Sequence, residues 1–129
     1  MKNIQIIIAF LLSLNLSYSQ VNPLDVEIVR DNYGVPHIYG KTDADVAYGL
    51  AWAHSEDDFK TIQEAYLAGN GLLSKHIGLK GAPVDFISQL IRSDHIVDSL
   101  IDTIDKKFMK IAEAYAQGFN KFAESNPDQ

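Results

Sequence analysis

Residues 26–59 constrain the fold of this chain most strongly, because they predict two short strands, a tight turn and the start of a helix. Residues 26–30 alternate partly and are rich in β-branched side chains, which favours a strand. Residues 31–34 predict a turn, since Asp and Asn bond to the local backbone and Gly accepts a positive φ. Residues 35–39 predict the returning strand of a hairpin, and Pro36, which lacks a backbone N–H, indicates that this strand lies at an edge or starts at Pro36.

A long helix is predicted directly after the hairpin. Thr42 has the position of an N-cap and Asp45 that of its capping-box partner, so we expect a helix over residues 43–68, with a break near Ser55. Gly49 lies inside this helix, where a glycine costs about 1 kcal/mol relative to alanine. A glycine at that position indicates a close approach by another backbone.

Further helices are predicted in the second half of the chain. Residues 72–77 predict one or two helical turns, and residues 84–92 predict a helix with four apolar residues on one side: Phe86, Ile87, Leu90 and Ile91. Residues 101–122 have the clearest helical periodicity. Their apolar residues step by three or four positions and form one stripe about six turns long: Ile101, Ile104, Phe108, Ile111, Tyr115, Phe119 and Phe122.

The predicted fold class is therefore α+β, a hairpin followed by a mostly helical remainder. Two strands cannot form a sheet large enough to cover this many apolar helix faces. We expect the hairpin and the stripe to meet a missing part of the same protein. The chain has 129 residues, enough for one small domain, and residues 20–129 are expected to be an incomplete one.

Residues 1–19 are typical of a secretory signal peptide. Lys2 provides the positive start, residues 4–16 are largely apolar, and Ser17 and Ser19 precede a cleavage site before Gln20. A membrane anchor or a buried helix is the alternative, but the apolar run is shorter than the roughly 20 residues that span a bilayer. We therefore expect a secreted or periplasmic protein that has no membrane partner once the signal is removed.

The charge balance excludes one class of partner. Lys2 is the only charged residue of the signal, so the remainder carries 10 basic and 17 acidic residues. Such an acidic chain repels phosphates, which argues against a nucleic-acid partner. The chain has no cysteine, so it has neither a disulfide framework nor a lipid-modified cysteine.

The densest group of reactive side chains is His54, Glu56, Asp57 and Asp58. On a helix, His54 and Asp58 lie one turn apart, but the spacing is neither HExxH nor that of an EF-hand. Asp57 and Asp58 would point about 100° apart, which does not suit a shared proton. The favoured interpretation is a helix junction with solvated or capping carboxylates rather than a metal site or an acid–base pair.

The other ionisable candidates are isolated in the sequence. His37, His76 and His95 have no Ser, Cys or carboxylate at a diagnostic spacing, so each is predicted to be structural. Arg30 and Asp31 flank the turn and would pair with each other or with a neighbouring segment. The sequence contains no G-x-S-x-G, P-loop or dinucleotide fingerprint. The residues alone therefore predict no catalytic, cofactor-binding or metal site on this chain.

Several short motifs, taken in order, resemble the N-terminal part of the penicillin acylase family. They are VRD at 29–31, YGVPHI at 33–38, YGLA at 48–51, EDD at 56–58, AG at 68–69 and YAQGFN at 115–120. That family includes penicillin amidases, aculeacin-type lipopeptide acylases and acyl-homoserine-lactone acylases. The resemblance covers most of residues 26–122. One departure is the pair Asp57–Asp58, where many members carry Asp-Arg.

This resemblance implies part of an αββα sandwich of an N-terminal nucleophile hydrolase, with the hairpin at the edge of the sandwich. A precursor of that family cuts itself into an α and a β chain, and the new N-terminal Ser of the β chain attacks an amide. Penicillins, acyl-homoserine lactones and lipopeptides are the implied substrates. The implied partners are the rest of the α chain, the β chain and a small acylated amide.

The resemblance assigns no catalytic, cofactor or metal residue to this chain. It leaves calcium as a cofactor of the complete enzyme only, because the family's calcium ligands lie beyond the matched region. By itself the chain is expected to be inactive. The competing hypothesis is a stand-alone, non-catalytic, secreted helical binding module, or a degenerate relative.

Overall fold

The computed structural model describes residues 20–128, so the predicted signal peptide lies outside the described residues. A 3-10 turn, Pro23–Asp25, precedes two antiparallel strands, β1 (Glu27–Arg30) and β2 (Pro36–Tyr39). In their register Glu27 lies opposite Tyr39, and Arg30 lies opposite Pro36. The predicted hairpin is confirmed.

The turn of the hairpin is held by one carboxylate. Asp31 Oδ1 accepts hydrogen bonds from the backbone N–H groups of Tyr33 at 2.8 Å and Val35 at 3.0 Å. Gly34 has a φ of +83°, a region that L side chains rarely adopt. The bond from Val35, followed by that from Tyr33, lowers the pKa of Asp31, because both favour the charged carboxylate. The turn chemistry predicted from the sequence is therefore present.

The long helix α1 runs over Asp43–Gly69 and begins with the predicted capping box. Thr42 Oγ1 accepts from Asp45 N at 3.2 Å, and Asp45 Oδ2 accepts from Thr42 N at 2.8 Å. The helix is kinked at Asp58, whose φ of −159° and ψ of 70° are not helical. The predicted break near Ser55 thus lies three residues later, at a residue that can act as a second N-cap.

Asp58 causes this kink through its side chain. Asp58 Oδ1 accepts from the backbone N–H of Thr61 at 3.1 Å, which is the N-cap arrangement. Hydrogen bonds from the Thr61 side chain and backbone lower the pKa of Asp58. Ser55, by contrast, stays inside the helix and donates its hydroxyl to Ala51 O at 2.7 Å.

Four further helices follow, joined by short 3-10 turns at Gly78–Gly81 and Ile101–Thr103. They are α2 (Leu73–Ile77), α3 (Ala82–Ile91), α4 (Ser93–Leu100) and α5 (Lys106–Ser125). Among residues 20–128, no helix is both long enough and apolar enough to cross a membrane.

The prediction of one continuous helix over residues 101–122 is wrong at its N-terminal end. Asp105 is the N-cap of α5, and its carboxylate accepts from Lys107 N at 2.7 Å. Ile104 is extended, with a φ of −75° and a ψ of 137°. The carboxylate competes with the helix for the local backbone N–H groups, so α5 begins after Asp105 and not at Ile101.

The core lies where α5 crosses α1. Gly118 has no side chain, and the Tyr48 carbonyl of α1 occupies the space that a Cβ would fill. Ala51 Cβ lies only 3.0 Å from the same point. Further along, Phe59 stacks on Phe119, with their ring centroids 5.0 Å apart. The stripe residues of α5 from Ile111 onwards pack against α1, whereas Ile101, Ile104 and Phe108 are exposed.

The hairpin lies on another side of α1. A Cβ at Gly49 would lie 2.6 Å from Ile38 Cγ2 and 2.8 Å from Val26 Cγ1. The predicted close approach is present, but it is made by side chains of the hairpin and not by another backbone. Glycine and alanine residues on α1 therefore let two different elements approach it closely.

We predict that Gly118→Ala destabilises the protein. In a helix, alanine is normally favoured over glycine by about 1 kcal/mol. Here the added methyl group would overlap the Tyr48 carbonyl and push α5 away from α1, an overpacking that typically costs about 1–3 kcal/mol. Urea unfolding of the wild type and the variant measures the difference.

Gly69→Ala is the matched control, because Gly69 also lies in a helix and nothing lies within 4 Å of its missing Cβ. We expect this variant to be as stable as the wild type or slightly more stable. If Gly118→Ala were equally harmless, the glycine would not set the separation of α1 and α5.

Candidate functional site

Arg30 connects the hairpin to α1. Its Nη2 lies 3.0 Å from Glu56 Oε2 and 2.8 Å from Asp57 Oδ1, and its Nη1 donates to Gly34 O at 2.9 Å. The hydrogen bond to Glu56, followed by that to Asp57, raises the pKa of Arg30. Of the two pairings expected for Arg30, the structure shows the one with a neighbouring segment and not the one with Asp31.

Glu56 has a second donor. The indole Nε1 of Trp52 donates to Glu56 Oε1 at 2.9 Å, one helical turn away. The carboxylate thus accepts one bond from the hairpin and one from its own helix. This arrangement orients both Arg30 and Trp52, and it engages each oxygen of Glu56 in one structural contact.

A groove lies beside this ion pair, between the N-terminal segment, β1 and α1. It has a volume of about 650 Å³ and is lined by Pro23, Val26, Ile28, Arg30, Tyr48, Trp52 and Glu56. Burial raises the pKa of Tyr48, because a phenolate would be poorly solvated there, so the phenol stays protonated at neutral pH. An apolar group can enter this groove, whereas Arg30 and Glu56, the ionised residues that line it, are already paired with each other.

The structure separates the group His54, Glu56, Asp57 and Asp58. Glu56 and Asp57 pair with Arg30, Asp58 caps the second half of α1, and His54 Nδ1 lies 3.2 Å from the Tyr115 hydroxyl. The predicted helix junction with a capping carboxylate is confirmed for Asp58. The sequence indicated neither that Glu56 and Asp57 are the partners of Arg30 nor that Tyr115 contacts His54, since these partners lie far apart along the chain.

The remaining histidines have separate surroundings. His37 Nε2 lies 3.5 Å from Asp31 Oδ2 across the hairpin turn. His76 lines a hollow of about 450 Å³ together with residues of the acidic junction of α1. His95 is exposed on α4. Within residues 20–128, the one hydroxyl that is hydrogen-bonded to a histidine is the phenol of Tyr115, so the arrangement there is not that of an activated nucleophile.

The described residues do not fit a metal ion either. In the range 20–128, no three or more His, Asp or Glu side chains are placed so that they could hold a metal together. Calcium prefers six to eight oxygen ligands, which the Arg30-paired carboxylates cannot supply. We therefore derive no calcium-dependent step from these residues.

The role of Asp85 was not predicted from the sequence. This residue of α3 is buried, and its carboxylate accepts from the backbone N–H groups of Leu73 and Ser74, each at 2.8 Å. It thereby caps α2, whose own N-cap residue, Leu72, provides no side-chain acceptor. The absence of a capping residue before residue 73 was the one available signal that an acceptor must come from elsewhere.

In this chain the hairpin packs on the long kinked helix at Gly49, Arg30 ties the two together, and a second helix crosses at Gly118. Comparison with known proteins identifies the family of this chain. The sequence profile described as Penicillin amidase matches residues 25–129. The chain belongs to the penicillin amidase family.

Individual relatives agree with this assignment. The chain is 26% identical over 113 residues to acyl-homoserine lactone acylase PvdQ of Pseudomonas putida, covering 80% of this chain and 15% of the relative. It is 26% identical over 110 residues to penicillin G acylase of Escherichia coli, covering 81% of this chain and 13% of the relative. The chain thus spans only a small part of the length of these curated relatives.

A solved structure shows the same fold. The thermostable penicillin G acylase from Alcaligenes faecalis matches with a TM-score of 0.72 at 23% identity, covering 81% of this chain and 55% of that chain. The predicted α+β class, a hairpin with a mostly helical remainder that forms part of a penicillin acylase fold, is confirmed.

We predict that Arg30→Gln loosens the hairpin from α1. The variant lacks the guanidinium group and leaves Glu56 and Asp57 side by side without their cation. The backbone amides of β1 and β2 should therefore exchange hydrogen several-fold faster than in the wild type. Hydrogen–deuterium exchange followed by mass spectrometry measures this rate. Lys60→Gln is the control, since Lys60 lies 3.8 Å from Glu64 on the surface of α1. Equal exchange in both variants would contradict a role of Arg30 as the tether.

We also predict that Asp85→Asn lowers stability at neutral pH. A hydrogen bond from the Ser74 side chain is the largest of the causes that lower the pKa of Asp85. The ionised group therefore stabilises the fold above about pH 4, the ordinary carboxyl range, and this contribution is lost as pH falls through the lowered pKa.

The melting temperatures of wild type and variant should differ at pH 7 and converge at strongly acidic pH. Asp98→Asn, at an exposed position on α4, is the control and should change the melting temperature little at either pH. A constant difference across the whole pH range would show that the charge of Asp85 is not what α2 requires.

Proposed function

We propose that this chain is the N-terminal part of the α subunit of an amide hydrolase of the penicillin acylase type. The observation that carries the proposal is the family match over residues 25–129, with relatives that are named acylases. The complete enzyme would cleave the linear amide of an acylated small molecule into a carboxylic acid and an amine. Penicillins, acyl-homoserine lactones and lipopeptides are the candidate substrates.

In this proposal the reacting groups lie on another chain. The N-terminal Ser of the β chain would add its hydroxyl oxygen to the amide carbonyl, and its own α-amine would take the proton. Collapse of the tetrahedral adduct returns that proton to the departing amine and leaves an acyl ester on the Ser oxygen, and water then hydrolyses the ester, which releases the acid and restores the hydroxyl. Hydrogen-bond donors would stabilise the developing oxyanion.

The geometry supports a scaffold role for this chain. Glu56 and Asp57 are engaged by Arg30, Asp58 and Asp85 cap helices, and the hydroxyl of Ser55 is buried and donates within its own helix. Each of these groups already has a structural task. The chain would therefore be inactive by itself and would support the catalytic residues of the complete protein.

The proposal also includes a cellular location and partners. Residues 1–19 would direct the precursor to secretion, so the enzyme would act outside the cell or in the periplasm. The rest of the α chain and the β chain would be its partners. Any calcium of the complete enzyme would be held by residues beyond this chain.

The decisive experiment is to express the complete precursor and analyse the mature protein. We expect a mass several times the roughly 12 kDa of this chain alone, two polypeptides, and a Ser at the N-terminus of the larger one. Release of free acid from penicillin G, an acyl-homoserine lactone and an acylated peptide should be detectable for at least one substrate. Replacing that Ser by Ala should abolish both processing and hydrolysis.

A matched variant on this chain completes the test. His54→Phe keeps an aromatic ring against Tyr115 and should change kcat less than tenfold, because no histidine of this chain takes part in the reaction. A loss as large as that of the Ser variant would place catalysis on this chain. A mature protein of about 12 kDa that binds acylated molecules without cleaving them would favour the stand-alone binding module instead.

A further inference from the structure

The N-terminal segment of the described chain is anchored at Val21. The backbone N–H of Val21 donates to the side-chain oxygen of Gln117 on α5 at 3.0 Å. Val21 is partly buried, and it packs against the core cluster that contains Tyr48 of α1 and Ala114 of α5. This residue therefore connects the start of the chain to the region where α5 crosses α1.

Gln20 lies directly before this anchor. It is exposed, and it lines a hollow of about 600 Å³ to which Asn120, Lys121 and Glu124 of α5 also contribute. Lys121 Nζ and Glu124 Oε2 are paired with each other at 3.3 Å. The side chain of Gln20 thus has open space around it, and the carboxylate of Glu124 already has a cation.

Gln20 becomes the first residue of the mature chain when the signal is cleaved where the sequence predicts. Ser17 and Ser19 occupy the small-residue positions before that cut. An N-terminal Gln differs from an internal one, because its side-chain amide and a free α-amine belong to the same residue. Such an amine is much less basic than that of lysine, so part of it is unprotonated and nucleophilic at neutral pH.

We propose that Gln20 cyclises to pyroglutamate and that the resulting lactam protects the anchor at Val21. The inference rests on the proposed function only for the removal of residues 1–19. The α-amine nitrogen of Gln20 attacks Cδ of its own side chain and forms a new C–N bond. The bond from Cδ to Nε2 breaks, and the leaving nitrogen takes the proton that the amine gives up and departs as ammonia. The reaction consumes no oxidant, cofactor or second substrate.

The position of Gln20 favours this reaction. The new ring has five members, and a nucleophile held within the same residue reacts as though it were present at very high concentration. Ring closure uses only atoms of Gln20, so the N–H of Val21 keeps its hydrogen bond to Gln117. The lactam is neutral, and it removes the charge of the terminus from a hollow in which Glu124 is already paired with Lys121.

The anchor is what the lactam would protect. An aminopeptidase requires a free α-amine, and chain termini are preferred sites of proteolysis. Trimming of an unprotected terminus would remove Gln20 and Val21. It would then stop at Asn22, because the bond to Pro23 carries no N–H and resists these enzymes. The chain would lose the hydrogen bond and the apolar contact of Val21.

The first test determines the N-terminus of the complete protein, purified from the cells that produce it. All amines of the intact protein are dimethylated before digestion, so an amine that is free at that stage is blocked and cannot cyclise later. After cleavage at arginine, mass spectrometry should find a peptide of residues 20–30 that carries no dimethyl group and is lighter by one ammonia than the unmodified peptide. A dimethylated Gln20, or a chain that begins at any other residue, would overturn the inference.

Gln20→Asn is the matched variant. It keeps a side-chain amide, but its cyclisation would require a strained four-membered ring, so its amine should stay free and become dimethylated. A broad-specificity aminopeptidase should trim this variant to Asn22 several-fold faster than the wild type. Wild-type protein that is first treated with pyroglutamyl peptidase should be trimmed as fast as the variant. Equal trimming of the variant and the untreated wild type would contradict the protective role of the lactam.

The two proposals fail separately, because none of these measurements uses hydrolysis of an acylated amide. A chain that starts at an unmodified Gln20 retains the proposed secretion and loses this inference. A chain that still starts at Met1 overturns the proposed secretion as well. A protein with a cyclised Gln20 and no amidase activity would keep this inference and lose the proposed reaction.

Discussion

The crossing of α5 over α1 at Gly118 is the contact on which the rest of the structure depends. The Tyr48 carbonyl takes the place of a side chain there, and this lets Tyr115, Phe119 and Phe122 reach the surface of α1. The hairpin uses Gly49 on the same helix in a similar way. Helix α1 is therefore held between two elements, and its small residues decide how closely each of them lies.

Short-range physics explains what the sequence predicted well. The Asp31–Gly34 turn, the Thr42–Asp45 capping box and the hairpin each depend on residues within a few positions of one another, and all three are present. The kink that was predicted near Ser55 lies at Asp58, and the helix that was predicted from residue 101 begins after Asp105. In both cases a capping aspartate overrode the apolar periodicity that extended the predicted helix.

Long-range partners explain what the sequence could not predict. The tie from Arg30 to Glu56 and Asp57, and the cap that Asp85 provides for α2, join segments whose proximity no spacing rule indicates. The direction in which the apolar side of α3 faces could not be predicted for the same reason. Periodicity located the apolar residues of that helix, but only the buried bonds of Asp85 and Ser88 determine which side turns outwards.

The arrangement around α1 also sets an order of events in folding. Arg30 and Glu56 are 26 positions apart, whereas His54 and Tyr115 are 61 apart. Closing the shorter loop costs less conformational entropy, so the hairpin docks on α1 more readily than α5 does. The Gly118 crossing is then the slower event. Until it forms, the small residues of α1 that receive α5 are open to competing contacts.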